Sequence, residues 1–367
     1  MYFLASTGFQ MQMPHQFYPY HLAAFVIAAL VVLATTPAIE RLGHKVGCVD
    51  LPGERKVHKR PMVRMGGVAI FAGTLVALLL VWWTGGFGIL PADKSDEVWG
   101  VTVCGLAFFL IGLADDLFSL SAFFRLFMQI IVACVAWQMG VQIEFLTIPA
   151  VGLVPLPDPV SLPITVLWLV GIANAINMID GLDGLAAGVS GIAAVVMMIT
   201  SLFMHQPAAA LIAACLAGAS IGFLRYNFNP AQIFMGDGGA YFMGFTLAGI
   251  GIIGLVKSVT TAAVLLPYLI LAVPILDISA VVLDRLRRGK SPFTADKRHL
   301  HHRLLQAGLS QRLIVLFIYS LALWVGSLAL MFSGVPQGVV YLVGATLFLT
   351  YTTWQVKKHA RPRTSGE

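Results

Sequence analysis

The chain has 367 residues, of which 58% are hydrophobic and only 11% are charged, whereas a typical soluble domain carries about 25% charged residues. This composition excludes a set of separate soluble domains and indicates that lipid is the main solvent of the chain. The net charge of +6 does not indicate nucleic-acid binding, because the basic residues follow a membrane topology instead.

Apolar stretches of membrane-spanning length follow one another along the chain. A membrane helix needs about 20 mostly apolar residues. The sequence predicts eleven transmembrane helices, over 20–37, 66–84, 98–114, 123–140, 160–179, 186–204, 207–224, 239–256, 260–283, 312–332 and 335–356. We therefore predict an all-α polytopic membrane protein in which residues 1–367 form a single domain. A short basic cytoplasmic tail is predicted over 357–367.

The basic residues predict the orientation of these helices. Of the 23 Lys and Arg residues, 21 fall on one side of the predicted bundle, and the other side has only Lys94 and Lys257. Because Lys and Arg are retained on the cytoplasmic side of a membrane, we expect the N-terminus outside and the C-terminus in the cytoplasm.

The end of the third predicted helix carries the first acidic motif. Asp115 and Asp116 are adjacent there, and we interpret one as facing a metal and the other a substrate; a solvated helix end is the alternative. Arg125 and Gln129 share a face of the next helix. Arg125 is predicted to hold a lipid phosphate, with simple interfacial anchoring as the alternative.

The segment NAINMIDGLDGLAAG, residues 174–188, begins in the last turns of the fifth predicted helix and continues through a short loop. Asn174 and Asn177 are spaced i, i+3, and Asp180 and Asp183 repeat that spacing. Their oxygen atoms are hard ligands of the kind that Mg²⁺ or Ca²⁺ accepts. A polar helix end is the alternative interpretation.

Two further acidic residues lie later in the chain. Asp237 sits in the glycine-rich segment FMGDGGA, 234–240, and is predicted to be a metal ligand, although an ordinary turn would have the same composition. Asp277 lies inside the ninth predicted span, where a carboxylate is a functional candidate or a paired structural group.

Histidines interleave with basic residues in two loops on the predicted cytoplasmic side. The first loop contains Lys56 and His58, and the second contains the segment HLHHR, 299–303. Both residue types donate hydrogen bonds to oxyanions, so we expect phosphate binding. Retention of basic residues at the cytoplasmic side explains the arginines but not three histidines in four residues.

The acidic residues come from distant parts of the chain and fall on one predicted side of the membrane. Clustered carboxylates repel one another, so we expect a cation among them. Hard-cation ligands ringed by basic groups are what phosphoryl transfer requires.

Four motifs in this order, ADD at 114–116, NxxNxxDGLDGLAAG at 174–188, FMGDGGA at 234–240 and HLHHR at 299–303, carry a family resemblance. The sequence resembles the polyprenyl-phosphate N-acetylhexosamine 1-phosphate transferases from about residue 40 to residue 310. The HLHHR form resembles the branch that uses UDP-N-acetylglucosamine. The resemblance implies transfer of N-acetylglucosamine 1-phosphate to undecaprenyl phosphate, with release of UMP, at the cytoplasmic face of a bacterial inner membrane. This step would begin a cell-surface polysaccharide.

The resemblance also implies roles for individual residues. Asp115 or Asp116 would deprotonate or position the lipid phosphate, and a covalent route through an aspartate nucleophile stays open. The implied catalytic residues are Asp115, Asp116, Asp180 and Asp183. The implied ligands of Mg²⁺, or Mn²⁺, are Asp237, Asn177 and Asp116. The implied substrate-binding residues are Asn177, Arg125, Lys56, His58, His299, His301, His302 and Arg303.

Other functions remain open at this point. Another UDP-N-acetylhexosamine or UDP-N-acetylmuramoyl-pentapeptide is an alternative donor. A cation-coupled transporter is a remote alternative, because such sites lie near the bilayer midplane, and a lipid-binding scaffold without chemistry is a third. The membrane lipid itself is an expected partner, nucleic acid is not, and a homodimer is left open.

Overall fold

The computed structural model describes residues 18–52, 60–90, 94–148, 152–256, 261–289 and 299–360. Within these ranges the protein is mostly helical. The helices are α1 (Tyr18–Val46), α2 (Gly66–Trp83), α3 (Lys94–Phe118), α4 (Ala122–Gln138), α5 (Asp158–Ile179), α6 (Leu185–Phe203), α7 (Pro207–Asn227), α8 (Gly236–Ile250), α9 (Thr261–Ile270), α10 (Ala272–Arg287), α11 (Leu300–Gln306), α12 (Gln311–Phe332) and α13 (Gly338–His359). Two small antiparallel hairpins pair β1 (Val49–Asp50) with β2 (Met62–Val63), and β3 (Phe145–Ile148) with β4 (Gly152–Pro155).

Eight of the described helices are long and apolar enough to cross a membrane, namely α1, α2, α3, α5, α6, α7, α12 and α13. The prediction of an all-α polytopic membrane protein is therefore confirmed, apart from the two hairpins. Helix α4 has 17 residues, and α8 continues into a π-helical turn, Gly251–Val256. The count of eleven spans and the orientation stay predictions.

The predicted ninth span, 260–283, is divided into α9 and α10 at Leu271. Pro274 lies in the first turn of α10. Because proline has no backbone N–H and its ring crowds the carbonyl four residues earlier, it disfavours a continuous helix through Ile270. The apolar pattern alone runs through this break and does not show it.

Helices α7 and α8 form the centre of the bundle. Helix α7 packs against α1, α2 and α6, and α8 packs against α3 and α5. Small residues allow these backbones to approach closely. A Cβ added to Gly218 of α7 would lie 2.1 Å from the Phe25 carbonyl oxygen, and one added to Gly112 of α3 would lie 2.4 Å from the Asp237 carbonyl oxygen. The contact at Gly112 brings the acidic end of α3 against the start of α8.

Substituting Gly218→Ala should lower the thermal stability of the detergent-solubilised protein. The methyl group would overlap the α1 backbone, and overpacking of this kind costs about 1–3 kcal/mol. The matched control is Gly171→Ala in α5, where an added Cβ has no atom within 4 Å. Thermal unfolding followed by intrinsic fluorescence measures both; equal midpoints for the two variants would contradict the packing description.

Candidate active site

Asp237 lies in the first turn of α8, at the centre of the candidate site. Gly236 precedes it with φ of +75°, a conformation that favours glycine, and so turns the chain into the helix. Asn177 of α5 donates a hydrogen bond from Nδ2 to Asp237 Oδ1 over 3.0 Å. This contact joins the asparagine motif to the glycine-rich motif.

The segment before α2 is tied to the loop before α8 by backbone hydrogen bonds. The Phe234 N–H donates to the Val63 carbonyl at 2.8 Å, and the Gly66 N–H donates to the Phe234 carbonyl at 2.9 Å. Arg64 lies between these two anchor points. The backbone pairing therefore fixes where the Arg64 side chain enters the site, next to Asp237.

Two arginines connect the carboxylates of α3 and α8. Arg64 Nη2 lies 3.0 Å from Asp116 Oδ1 and 3.5 Å from Asp237 Oδ1. Arg125 of α4 donates to Asp115 and, over 3.3 Å, to Asp237 Oδ2. Each arginine thus bridges one carboxylate of the Asp-Asp pair and Asp237, and the two guanidinium groups offset part of the negative charge.

The Asp-Asp pair on α3 is divided between two environments. The Asp116 side chain is only 1% exposed, and its Oδ2 accepts the Gly238 N–H at 3.1 Å. Asp116 Oδ1 is buried without a hydrogen bond and faces the Arg64 guanidinium. Asp115 pairs with Arg125, which lines an open groove. Asp116 is therefore the inner carboxylate and Asp115 is the one nearer the groove.

Asp180 ends α5 beside the same cluster. Burial raises the pKa of the Asp180 carboxyl to about 8, and the negative charges of Asp237 and Asp116 add to the rise. A bound proton, or a bound cation nearby, relieves this repulsion. The site thus contains more carboxylate groups than its two arginines balance.

Asp183 has different partners from Asp180 despite the shared spacing. Its Oδ2 accepts hydrogen bonds from Asn229 Nδ2 at 2.9 Å and from the Ala231 N–H at 3.1 Å. Arg312, at the start of α12, donates to the Asn229 carbonyl at 3.1 Å. Asp183 therefore ties the α5–α6 loop to the α7–α8 loop.

The histidines lie on the short helix α11 and just before it. The His299 and His301 rings are stacked with centroids 5.8 Å apart, and the His301 and His302 centroids are 4.3 Å apart. Burial, with His302 and His299 next to it, lowers the pKa of His301 to about 4. Arg303 is exposed. Lys56 and His58 lie outside the described residues.

A groove of about 800 Å³ leads from the polar cluster along α4, α5 and α10. Its polar end contains Arg125, Asn177 and the three histidines, and its wall is apolar at Ile130, Val166, Leu167 and Val170. Asn174 also lines the groove, and its amide is held by Gln129 Oε1 at 2.7 Å. An elongated apolar ligand with a charged head would match this division.

The described part of the chain contains no group of three or more His, Cys, Asp or Glu side chains positioned as a metal site. The donor chemistry nevertheless fits a hard cation, because Asp116, Asp237 and Asn177 offer only carboxylate and amide oxygens. Asp116 Oδ1 is buried without a hydrogen bond and lies 3.0 Å from Arg64 Nη2, so a bound cation would share this oxygen with the arginine. These residues fit Mg²⁺ or Mn²⁺ by ligand type, with the arginines as the present counter-ions.

Arg64 belongs to the first loop, whose basic residues were expected as a group to bind phosphate or lipid, with membrane topology as the alternative. The close approach of this segment to α8 is seen at Gly67, where an added Cβ would lie 2.2 Å from the Gly239 nitrogen. One further site residue was not predicted. Tyr241 lines the groove one turn after Asp237, and that i, i+4 spacing was its only signal.

Comparison with known proteins gives a consistent result. Residues 98–255 match the sequence pattern of glycosyl transferase family 4. This range includes Asp115 through Asp237. A Bacillus subtilis protein described as a probable undecaprenyl-phosphate N-acetylglucosaminyl 1-phosphate transferase is 36% identical over 297 residues, covering 81% of this chain and 80% of the relative.

Two further relatives extend the comparison. The decaprenyl-phosphate N-acetylglucosaminephosphotransferase of Mycobacterium tuberculosis is 38% identical over 82% of this chain and 79% of its own length. The undecaprenyl-phosphate alpha-N-acetylglucosaminyl 1-phosphate transferase of Escherichia coli K12 is 27% identical over 85% of this chain and 84% of its own length.

Substituting Asp180→Asn should stabilise the protein, and by more at high pH than at low pH. The folded-state pKa of about 8 is above the unfolded value of about 4, so wild-type stability falls as pH rises between them. Asparagine removes this dependence. Thermal midpoints in EDTA at about pH 5 and about pH 8 measure the effect.

The control for Asp180→Asn is Asp158→Asn, at the exposed opposite end of α5, which should not reproduce the pH-dependent gain. A gain from Asp180→Asn that is equal at both pH values would contradict the raised pKa of Asp180.

Proposed function

The chain belongs to the polyprenyl-phosphate N-acetylhexosamine 1-phosphate transferases of glycosyl transferase family 4, and from this membership we propose that it transfers N-acetylglucosamine 1-phosphate from UDP-N-acetylglucosamine to undecaprenyl phosphate. The relatives' names give N-acetylglucosamine as the sugar and undecaprenyl or decaprenyl phosphate as the acceptor. The observation that carries the proposal is the cluster of carboxylates and arginines at the polar end of an apolar groove.

The groove suits the lipid acceptor. Its apolar wall matches a polyprenyl chain, and Arg125 at its polar end is placed to bind the phosphate. Arginine binds phosphate oxygens in a bidentate manner. Binding of the phosphate would compete with the contacts of Arg125 to Asp115 and Asp237, so the acceptor would release these carboxylates for other partners.

The reaction forms one phosphorus–oxygen bond and breaks another. An acceptor phosphate oxygen attacks the sugar-proximal phosphorus of UDP-N-acetylglucosamine, the bond to the bridging oxygen breaks, and UMP leaves. Asp115 is the carboxylate nearer the groove, and in this proposal it takes up the remaining proton of the acceptor phosphate. Catalysis of this kind depends on positioning and on charge stabilisation.

Asp116 and Asp237 have a different role in the proposal. Asp116, Asp237 and Asn177 would hold Mg²⁺, or Mn²⁺, and a bound ion would offset the charge of the donor diphosphate. Arg64 lies against the same two carboxylates and would donate to phosphate oxygens. The histidines at the polar end of the groove would form hydrogen bonds with the nucleotide-sugar from the opposite wall.

A membrane arrangement accompanies this chemistry. We propose eleven spans, with α4, α8 with its π-turn, and the α9–α10 pair added to the eight long helices. The N-terminus would lie outside and the C-terminus in the cytoplasm, because basic residues are retained there. Lys94 and Asp116 lie near opposite ends of α3, so the site would face the cytoplasm at the bacterial inner membrane, at the first membrane step of a cell-surface polysaccharide.

Purified protein with undecaprenyl phosphate and Mg²⁺ should release UMP from UDP-N-acetylglucosamine and not from other UDP-sugars in a panel. Asp116→Asn should reduce the rate by about 100-fold or more, because the buried inner carboxylate would be lost. Coupled UMP detection measures both, and EDTA should abolish release.

The control variant for Asp116→Asn is Asp284→Asn, which removes a carboxylate paired with Arg288 near the end of α10 and should keep wild-type activity. Release from a different UDP-sugar would contradict the assigned donor, and full activity in EDTA would contradict the assigned metal.

Substituting Gly171→Leu should raise the KM for undecaprenyl phosphate by about tenfold, equivalent to about 1.4 kcal/mol, and leave the KM for UDP-N-acetylglucosamine unchanged. Gly171 lines the groove, and a Cβ there meets no atom within 4 Å, so the new side chain would extend into the groove. Gly344→Leu in α13 is the control, since it too adds a side chain in open space. An equal rise in both KM values would refute the assignment of the groove to the lipid.

A further inference from the structure

Asp277 of α10 has both carboxylate oxygens occupied by residues of the histidine segment. Its Oδ2 lies 2.8 Å from His299 Nδ1, and its Oδ1 accepts the Leu300 N–H at 2.8 Å. The Asp277 and His299 side chains are only 10% and 8% exposed. The proposed chemistry does not use Asp277, yet its carboxylate is fully committed to this one segment.

The bond to Leu300 supplies something that α11 lacks. This helix has only seven residues, and His299 at its N-cap makes no side-chain capping bond. Isolated helices of this length are not stable in water, and unpaired N–H groups at a helix start need acceptors. The Asp277 carboxylate provides one such acceptor from a different helix, and so fixes α11 against α10.

The bond to His299 fixes the orientation of that ring. Through ring contacts it also orients the histidine row, which consists of His299, His301 and His302. Since an ionised carboxylate can only accept hydrogen bonds, His299 Nδ1 donates, and its Nε2 is left for another partner. The His299 and His301 rings are nearly parallel, at 12°. His301 Nε2 is buried without a hydrogen bond, and a Cβ on Gly181 would lie 2.4 Å from it. The row therefore runs from Asp277 to the turn that carries Asp180.

The row ends where the phosphates of the donor would lie. All three histidines share the polar end of the groove with Arg125 and Asn177. Fixing one imidazole nitrogen against a carboxylate also fixes the direction of the other nitrogen of that ring. Carboxylates behind metal-bound histidines orient the ring in the same manner.

We propose that Asp277 is a positioning residue of the transferase site, which orients His299 and anchors α11 so that the histidine row faces the diphosphate of the nucleotide-sugar. This inference rests on the proposed function. A purely structural role for Asp277 would impair the binding of both substrates. The positioning role impairs the binding of the nucleotide-sugar and not that of the lipid.

The test compares Asp277→Asn, His299→Gln and the double variant with wild-type protein. Asparagine keeps an acceptor for Leu300 and loses the charge beside His299. Asp277→Asn should raise the KM for UDP-N-acetylglucosamine by about 10–100-fold, the range for losing a hydrogen bond to a charged group, while the KM for undecaprenyl phosphate stays the same. The double variant should be no worse than His299→Gln alone, because the two residues act through one contact.

A matched control and a second readout keep the outcomes separate. Asp284→Asn, on the same helix, should leave both KM values unchanged. UMP affinity measured by calorimetry should fall in Asp277→Asn as the donor KM rises. Additive losses in the double variant, or equal changes in both KM values with a lower thermal midpoint, would overturn the positioning role. If wild-type protein released no UMP, the proposed function would fail, and UMP affinity would still decide the role of Asp277.

Discussion

Repulsion among carboxylates is the constraint on which the rest of this structure depends. Asp115, Asp116 and Asp237 meet at one end of the bundle, and two guanidinium groups lie between them. The helices that carry the cluster pack closely at this end, since a Cβ added to Gly112 of α3 would lie 2.4 Å from the Asp237 carbonyl oxygen of α8. Preorganised charge of this kind is what phosphoryl transfer uses, so the packing of the bundle and the proposed chemistry follow from one feature.

The fold was predictable where hydrophobicity decides it. The predicted span 207–224 corresponds to α7, Pro207–Asn227, because an apolar run of about 20 residues has few alternatives in a bilayer. The division of the predicted span 260–283 into two helices was not predicted. Pro274 disfavours the helix in the preceding turn but leaves the apolar pattern of the sequence intact. The short hairpins were not predicted either, because strands of two to four residues leave almost no periodic signal.

The site was predictable in its charges and less so in its partners. Spacing and topology placed Asp116 and Asp237 at one end of the bundle, and the structure brings both to the Arg64 guanidinium. Arg64 could not be distinguished from the other basic residues of its loop, because retention of basic residues in the cytoplasm explains any arginine there. The pairing of Asp277 in α10 with His299, just before α11, joins residues 22 positions apart. Only the three-dimensional arrangement reveals a contact of that kind. The same holds for the different partners of Asp180 and Asp183, which share one spacing.

The central claim is that Asp116 and Asp237 form a site for one divalent cation. Titration of the purified protein with Mn²⁺, followed by electron paramagnetic resonance, tests it most directly, since free and bound Mn²⁺ give distinct signals and no substrate is needed. The account predicts one bound Mn²⁺ per chain in the wild type and none in the Asp116→Asn, Asp237→Asn double variant. Undiminished Mn²⁺ binding by that variant, or no binding by the wild type, would contradict it.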